Sequence, residues 1–526
     1  MGVADYVIVG AGSAGCVLAN RLSADPGCRV VLLEAGGRDR KLEIRIPVAF
    51  AKLFKTEVDW NYTTAPEAAL GGRELYWPRG KMLGGCSSIN AQMWVRGHAL
   101  DYDGWAAAGA KGWSYADVLP YFRRSEDFSR GLNPWRGGMG PQRVEDLRDP
   151  NPLTRHFIRA AAGAGIPENH DVNGERHEGV GVTQVTQYTG RRWSAADAYL
   201  KPVRRRRNLQ IVTGAHATRV VFEGARAVAV EYVAGGQRHV ARAAREVILA
   251  AGAVNSPQLL MLSGVGAADE LRCHGITVVA DVPGVGRNLQ DHLATGIAVE
   301  CRLPVTLAGA ESFVQLARWL FLRRGLLTSN VAEACALVRV GPGASAPDVE
   351  LIFAPAAFLD HGFVKVPQHA MTIGVVLLQP RSAGTIALRS ADPIAAPLIQ
   401  PRYLSDPGGD DLRLLIAGLK LARLVLATEP LAEHAGAPIE PVAGIEGDEA
   451  LAAFVRARSQ TLYHPVGTCR MGSDPGAVVD PELRVRGVER LRVVDASVMP
   501  RIVRGHANAA TMMIAEKAAA SITGDR

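Results

Sequence analysis

The N-terminal run Asp5-Tyr-Val-Ile-Val-Gly-Ala-Gly-Ser-Ala-Gly15 decides the fold of this chain. Residues 5–9 are β-branched or aromatic for the most part and predict a short strand. Residues 16–22 follow a helical pattern, and residues 29–33 form a second β-rich run. Strand, glycine turn, helix and strand in this order predict one βαβ unit at the very start of the chain.

The turn of this unit carries Gly10-x-Gly12-x-x-Gly15, and Glu34 follows Gly15 by nineteen residues. The first glycine permits a tight turn, the second lets a pyrophosphate approach the backbone, and the third lets helix and strand pack closely. Glu34 ends the second strand, where a carboxylate accepts hydrogen bonds from ribose hydroxyls and repels a 2′-phosphate. The motif therefore predicts dinucleotide binding and argues against NADP, while its spacing leaves FAD and NAD both open.

Composition and charge are those of an ordinary globular protein that is long enough for more than one structural unit. The chain has 526 residues, 48% hydrophobic and 21% charged, with a net charge of +7. The densest basic run, residues 204–207, is interpreted as a solvated face, although weak attraction to anionic lipid stays open. No nucleic-acid module accompanies it. The seven cysteines are scattered without a CxxC pair, which argues against a structural zinc or a disulfide framework.

The chain shows neither a secretory signal nor a run of about 18 apolar residues, so we expect a cytoplasmic protein without a transmembrane segment. β-rich runs return at 209–233, 245–250 and 491–494. Between 301 and 455 the pattern differs, with helices predicted at 311–322 and after Asp411, and strands at 371–378 and 385–388. This alternation predicts a discontinuous dinucleotide-binding domain with a second domain inserted.

Three further blocks are candidates for chemistry. The block 78–90 contains Gly84-Gly85 followed by small hydroxyl residues, which suits a backbone pressed against a flat ring but also suits a surface loop. In the block 252–266, Ser256-Pro257 predicts a helix start. In the C-terminal block, His464 lies in a loop beside Pro465, and Asn508 is predicted to cap a buried helix that runs to about residue 522. The N-terminus of that helix would favour negative charge on a bound ring.

These blocks occur in the order found in the glucose–methanol–choline (GMC) flavin oxidoreductases, and together with residues 192–200 the chain resembles that family over nearly its whole length. The resemblance implies an α/β fold, with a Rossmann-like FAD-binding domain and an inserted α+β substrate domain built on a mostly antiparallel sheet. The expected FAD-binding segments are 1–155, 205–300 and 456–526, and the expected substrate-domain segments are 156–204 and 301–455.

The resemblance also implies FAD as the cofactor and assigns site residues. His464 matches the family's active-site histidine, Asn508 matches its partner, and Tyr463 is expected to line the substrate pocket. The residues expected to contact FAD are Gly10, Gly12, Ser13, Gly15, Glu34, Gly84, Gly85, Ser87, Asn90, Ala217, Asp495, Ala496 and Asn508. Ile89 stands where some relatives carry a histidine bonded to FAD, so we expect non-covalent flavin. Cys86 departs from the family's usual glycine, serine or threonine and is interpreted as a small turn residue.

The expected reaction is oxidation of an alcohol, with His464 as general base at a pKa near neutrality and hydride transfer to flavin N5. A quinone or another non-oxygen acceptor is expected to reoxidise the flavin, and no metal is expected. Two alternatives stay open: an oxidase that uses O2, and a hydroxynitrile lyase that retains FAD without reducing it. The sequence names neither the alcohol nor the oligomeric state.

Overall fold

The βαβ unit forms as predicted. The computed structural model of the chain describes residues 2–524. The strand Ala4–Val9, the helix Ser13–Leu22 and the strand Val30–Glu34 follow one another, and the two strands pair in parallel. The second strand is buried along its whole length, as expected of a parallel strand covered on both faces.

A seven-stranded sheet, here called the nucleotide sheet, grows from this unit. Its central strands are parallel, and an antiparallel meander extends one side. The strand Leu491–Val493 joins from the far end of the chain by pairing in parallel with Gln237–Leu249. In spatial order the other strands are His216–Glu223, Arg226–Ala234, Gln237–Leu249, Ala4–Val9, Val30–Glu34 and Leu209–Thr213.

A second seven-stranded sheet is antiparallel at every pairing. The helix Asp410–Leu426 packs on it so closely that a Cβ at Gly418 would lie 2.5 Å from Val375 Cγ1. In order its strands are Ala435–Glu440, Leu293–Cys301, Ala370–Leu377, Val349–Ala354, Ala334–Val338 and Gly179–Val182, with Gln460–Thr461 paired to Leu293–Cys301.

The helices surround the two sheets, and short two- or three-stranded ribbons complete the chain. The predicted helix at 311–322 begins two residues later, because Ser312 caps it by accepting a hydrogen bond from the Gln315 amide. The α-helices span Ser13–Leu22, Leu42–Arg45, Ala99–Ala107, Tyr115–Ser125, Pro152–Gly163, Gly252–Leu262, Ala268–Cys273, Phe313–Leu322, Asp410–Leu426, Gly447–Arg458 and Ala507–Thr523. No helix within residues 2–524 is both long and apolar enough to cross a membrane.

The predicted fold class, a Rossmann-like unit with an inserted antiparallel sheet, is confirmed. The domain boundaries stay a prediction. Two strands from segments predicted for the FAD-binding domain, Leu293–Cys301 and Gln460–Thr461, lie in the antiparallel sheet. The sequence of a short apolar strand does not indicate which sheet the strand will join, because either sheet could pair its backbone and bury its side chains equally well.

A buried ion cluster joins chain segments that the sequence assigns to the two different domains. The Glu126 carboxylate is fully buried between the guanidinium groups of Arg96 and Arg136, and Arg136 lies 2.7 Å away. Arg136 Nη1 also donates to Asp171 and to Gln184 Oε1. The cluster therefore joins several chain segments through charges that each depend on the others.

Replacing Glu126 with glutamine is expected to lower the free energy of unfolding by about 3–5 kcal/mol, since it leaves two buried guanidinium groups without their shared counter-ion. Glu57→Gln is the matched control. Glu57 is exposed and pairs with Lys41 at the surface, so its replacement should leave the free energy of unfolding close to that of the parent. Thermal unfolding of the two variants beside the parent checks the prediction, and equal midpoints would contradict it.

Candidate active site

A cavity of about 520 Å³ runs from the N-terminal glycine turn to the antiparallel sheet. Residues from both ends of the chain meet there, because the strand Leu491–Val493 and the helix Ala507–Thr523 pack beside the first βαβ unit. Of the residues that the sequence singled out, those lining the cavity are Gly10, Gly12, Ser13, Glu34, Gly85, Cys86, Ile89, Asn90, Ala217, Tyr463, His464, Asp495, Ala496 and Asn508.

Each glycine of the turn serves a different steric need. Gly10 has a φ of +98°, and a Cβ there would lie 2.6 Å from the Ala250 carbonyl oxygen. A Cβ at Gly15 would lie 1.8 Å from the Gly10 carbonyl oxygen, so this glycine allows helix and strand to meet. A Cβ at Gly12 would meet nothing within 4 Å, because Gly12 faces the cavity at the N-terminus of the helix Ser13–Leu22. This open space beside backbone N–H groups fits a pyrophosphate.

Glu34 lies at the cavity wall with both oxygens oriented by the backbone. Its Oε2 accepts a hydrogen bond from the Ala11 amide and its Oε1 one from the Gly36 amide, both at 2.8 Å. Burial raises the pKa of Glu34 to about 7. Each oxygen keeps a further lone pair, so the carboxylate can still accept from a ribose hydroxyl.

Three of the residues assigned by resemblance lie behind the cavity wall. Gly15 sits between helix and strand, and Gly84 has no room for a side chain because a Cβ would lie 2.2 Å from Ser88 Oγ. Ser87 Oγ accepts from the Ala195 amide and donates to the Gly84 carbonyl. These residues shape the wall, whereas a contact between them and FAD stays a prediction.

The C-terminal helix starts two residues earlier than predicted. It spans Ala507–Thr523, His506 occupies the N-cap position, and no side chain among residues 2–524 caps it. The prediction that Asn508 caps this helix is therefore wrong. Its amide Oδ1 accepts from Ser13 Oγ at 2.6 Å, while its buried Nδ2 has no partner within the described residues. A buried donor that faces a cavity indicates a ligand acceptor there.

The helix predicted to begin near Ser256-Pro257 begins at Gly252 instead, so that prediction is also wrong. Pro257 lies inside the helix and cannot bond the Ala253 carbonyl, and Thr468 Oγ1 donates to that carbonyl at 2.7 Å in its place. Ser256 Oγ donates to Asp495 Oδ2 at 2.6 Å, and the same oxygen accepts from the Gly252 amide. Asp495 thus anchors this helix start beside the cavity.

A strained loop places His464. Tyr463 has a φ of +69°, in the left-handed region that is uncommon for a bulky non-glycine residue. The strain is held by hydrogen bonds on both sides: the Tyr463 amide donates to Thr461 Oγ1, and Arg79 donates to the Tyr463 carbonyl. The His464 amide donates to Asp291 Oδ1 at 2.7 Å.

Three histidines meet beside the cavity: His292 and His506 are buried, and His464 is partly buried. His464 Nδ1 lies 3.0 Å from His292 Nδ1, and the rings of His464 and His506 meet edge to face at 4.8 Å. His506 Nε2 lies 3.2 Å from both oxygens of the buried Glu350. Burial lowers the pKa of His464 well below its ordinary value, and His506 and His292 lower it further. The expected pKa near neutrality is therefore wrong.

Hydrogen bonding selects the tautomer of His464. His292 Nε2 lies 3.1 Å from the Leu378 carbonyl oxygen, which only accepts, so this nitrogen carries the hydrogen. Burial lowers the pKa of His292 to about 3, so its Nδ1 is a lone-pair acceptor. His464 therefore donates from Nδ1 and keeps the lone pair on Nε2.

The reasoning from sequence missed His292, His506, Glu350 and Asp291. Asp291 and His292 are adjacent polar residues directly before a largely apolar strand, and this pattern is the one sequence signal that could have identified them as candidate site residues. His506 and Glu350 come from distant parts of the chain and meet only in the folded protein. Asp291 is buried, which raises its pKa to about 6, and it accepts from Thr461 and Tyr403.

Comparisons with known proteins agree with this geometry. Family models described as GMC oxidoreductase match residues 4–294 and 380–515. A GMC-type oxidoreductase of Mycobacterium tuberculosis is 52% identical, over 98% of each chain. The alcohol dehydrogenase (acceptor) of Pseudomonas putida is 47% identical over 98% of this chain and 95% of its own. Human mitochondrial choline dehydrogenase is 47% identical over 99% of this chain and 89% of its own.

Solved structures give the same result. Pyridoxine 4-oxidase from Mesorbium loti superposes with a TM-score of 0.92 at 33% identity, covering 99% of this chain and 100% of its own. FAD is the cofactor, and it fits the glycine turn with its open phosphate space, the oriented Glu34, and Asn508 Nδ2, which has no partner among the described residues. The chain belongs to the GMC oxidoreductase family, in its alcohol and choline dehydrogenase-like branch, and is an FAD-dependent oxidoreductase.

Proposed function

We propose that the protein oxidises a primary alcohol to an aldehyde, with His464 as the base that removes the hydroxyl proton. The hydrogen-bond chain from the Leu378 carbonyl through His292 to His464 carries this proposal, because it leaves an unprotonated Nε2 on a residue that lines the cavity. FAD, when bound, would supply the acceptor for the hydride that leaves the alcohol carbon. The name alcohol dehydrogenase (acceptor) of the Pseudomonas putida relative supports the same chemistry.

The chain's own residues bind and orient the reactants in this scheme. Gly10, Gly12 and Glu34 would hold the ADP half of FAD. Asn508 Nδ2 would donate to the substrate oxygen or to the flavin, and the N-terminus of the helix Ala507–Thr523 would offset negative charge that develops nearby. Ile89 lines the cavity and offers no nucleophile for a covalent bond, so we expect FAD to be extracted intact on denaturation.

The wall near Tyr463 favours an alcohol with an apolar body. Phe50, Phe54, Phe358 and Ile89 line this part of the cavity, and the Phe54 and Tyr463 rings lie 5.7 Å apart. Tyr463 hydroxyl lies 2.6 Å from His361 Nδ1, which holds the ring in place. Aromatic side chains contribute most of the energy for binding apolar groups in such pockets.

Choline is the second candidate, favoured by one observation. The Asp360 carboxylate lines the cavity on the side of Tyr463, and a carboxylate beside an aromatic ring can hold a quaternary ammonium. The human relative is named choline dehydrogenase. Replacing Asp360 with asparagine separates the candidates, because it should weaken choline oxidation and leave oxidation of an apolar alcohol unchanged.

Anaerobic visible spectroscopy of the purified protein tests the proposal. A panel of linear and aromatic primary alcohols together with choline is added, and bleaching of the oxidised flavin band identifies the substrate class. If no alcohol bleaches the band and a cyanohydrin is cleaved instead, the protein is a hydroxynitrile lyase. Reoxidation by a soluble quinone but not by O2 supports the proposed non-oxygen acceptor, while rapid peroxide formation would make it an oxidase.

His292→Leu is expected to slow flavin reduction by about 10- to 100-fold, because His464 loses the acceptor that keeps its hydrogen on Nδ1. His292→Gln is the matched variant, since an amide oxygen can accept the same hydrogen bond and should restore much of the rate. Single-turnover reduction with saturating alcohol measures both. Equal rates for the leucine and glutamine variants would show that His292 does not act through this hydrogen bond.

A further inference from the structure

The helix Phe313–Leu322 exposes large apolar side chains to solvent. Phe313 is 88% exposed, Phe321 84% and Val314 74%, and Leu320 and Leu322 are exposed as well. Positions 313, 314, 317, 320 and 321 lie on one side of a helix, so most of these side chains form a continuous surface. We call Phe313, Val314, Leu320, Phe321 and Leu322 the apolar patch. Contiguous exposed apolar surface of this kind marks an interaction site.

The opposite side of this helix is firmly attached to the protein. Trp319 is buried, its indole Nε1 donates to the Gly190 carbonyl at 2.8 Å, and it packs in a cluster with Ile46 and Ala49. The helix therefore has a packed inner side, and the outer side remains without a partner in the described chain. The apolar patch is presented on a fixed support.

Basic groups outnumber acidic groups around the apolar patch. Arg318 and Arg324 are exposed on or next to the helix, and the Arg323 guanidinium lies over the Trp319 ring. Lys52 and Lys365 approach Glu311 from neighbouring segments at 3.0 and 3.7 Å. The acidic partners are Glu311 and Asp149, which pairs with Arg324. An apolar surface ringed by basic groups is complementary to a bilayer that carries anionic headgroups.

The apolar patch adjoins the mouth of the cavity. Its helix packs on the segment Pro47–Leu53, whose Phe50 lines the cavity from the inner side. Lys365, which lies beside Glu311, directly follows Val364, and Val364 both lines the cavity and is exposed. A surface that covered the apolar patch would therefore lie next to the cavity mouth.

We propose that the apolar patch rests in the interface of an anionic lipid bilayer, with the cavity mouth next to the headgroups. A bilayer fits this patch better than a protein partner does, because stable protein interfaces use roughly 20–30 residues a side and this one is a single short helix. At that position an apolar alcohol or a lipid-soluble electron acceptor reaches the cavity without crossing water. That delivery role rests on the proposed function, whereas lipid binding does not.

Vesicle flotation of the holoenzyme without substrate tests the proposal. The protein is mixed with vesicles of phosphatidylcholine alone or with phosphatidylglycerol added, at low and at high salt. We expect flotation with the anionic vesicles, less at high salt, and at least a roughly tenfold lower partition coefficient for the double variant Phe313→Ser/Phe321→Ser. Both side chains are exposed, so the variant should keep the flavin spectrum and the thermal midpoint of the parent.

Met139→Ser/Ile394→Ser is the matched control, because it removes two exposed apolar side chains from other surfaces and should float like the parent. The proposal is wrong if the parent does not float, or if the phenylalanine variant floats as well as the parent. It is also wrong if the control loses as much binding as the phenylalanine variant. Sedimentation velocity tests whether a second copy of the chain covers the patch instead. If the parent is a dimer that does not bind vesicles, and the phenylalanine variant is a monomer, the patch is a dimer interface and the proposal is wrong.

Discussion

Replacing Gly12 with aspartate is expected to produce a folded protein that holds no FAD. Gly12 has an ordinary negative φ and a Cβ there would meet no atom within 4 Å, so the backbone tolerates a side chain. The added carboxylate would enter the space beside the first helix N-terminus, where the pyrophosphate is expected. Like-charge contact together with lost phosphate hydrogen bonds should weaken FAD binding by at least about a thousandfold.

The measurement is the flavin-to-protein absorbance ratio after purification, followed by titration of the apoprotein with FAD. Gly104→Asp is the matched control, because Gly104 is exposed on the helix Ala99–Ala107 and a Cβ there also meets nothing. It should keep a full complement of flavin. A Gly12→Asp protein that purified yellow at the parental ratio would place the pyrophosphate elsewhere.

Replacing His464 with alanine is expected to slow flavin reduction by alcohol by about 10²- to 10⁴-fold, the usual contribution of a general base. FAD content should not change, because no predicted contact of the ADP half involves this side chain. Rapid mixing under anaerobic conditions measures the reduction rate. His239→Ala, which removes an exposed histidine from the nucleotide sheet, is the control and should react like the parent.

The pH profile gives a second measure of His464. The base form is the unprotonated ring, and burial lowers the pKa below the ordinary 6.5, so protonation begins only at more acidic pH. We therefore expect the parent to keep its reduction rate at pH 6, with a decline only further into the acid range. Parental rates in His464→Ala, or a decline centred at 6.5, would contradict the assignment.

Local sequence was sufficient for the dinucleotide unit and for the family. The glycine turn, its flanking strands and Glu34 lie within the first 34 residues, where backbone sterics and periodicity act over short distances. The order of the remaining blocks identified the C-terminal residues His464 and Asn508 as candidates, and the fold brings both to the cavity wall. Their catalytic roles stay predictions that the variants above test.

Local reasoning failed where a distant contact decides the structure. Pro257 reads as a helix start, yet Thr468 supplies the hydrogen bond that lets the helix run through it. Asn508 reads as a cap, yet Ser13 engages its oxygen from the other end of the chain. In both cases the competing partner lies hundreds of residues away in sequence, so no local pattern could reveal it.

The sequence by itself determined the βαβ unit, the expectation that this unit binds a dinucleotide, and the family. These depend on short-range sterics and on the order of the motifs. Only the tertiary structure decided which strands join which sheet and which groups surround His464. His292, His506, Glu350 and Asp291 acquire their roles from burial and from partners on other segments. Desolvation of a side chain depends on everything packed around it, and the pKa and tautomer of His464 are therefore properties of the fold.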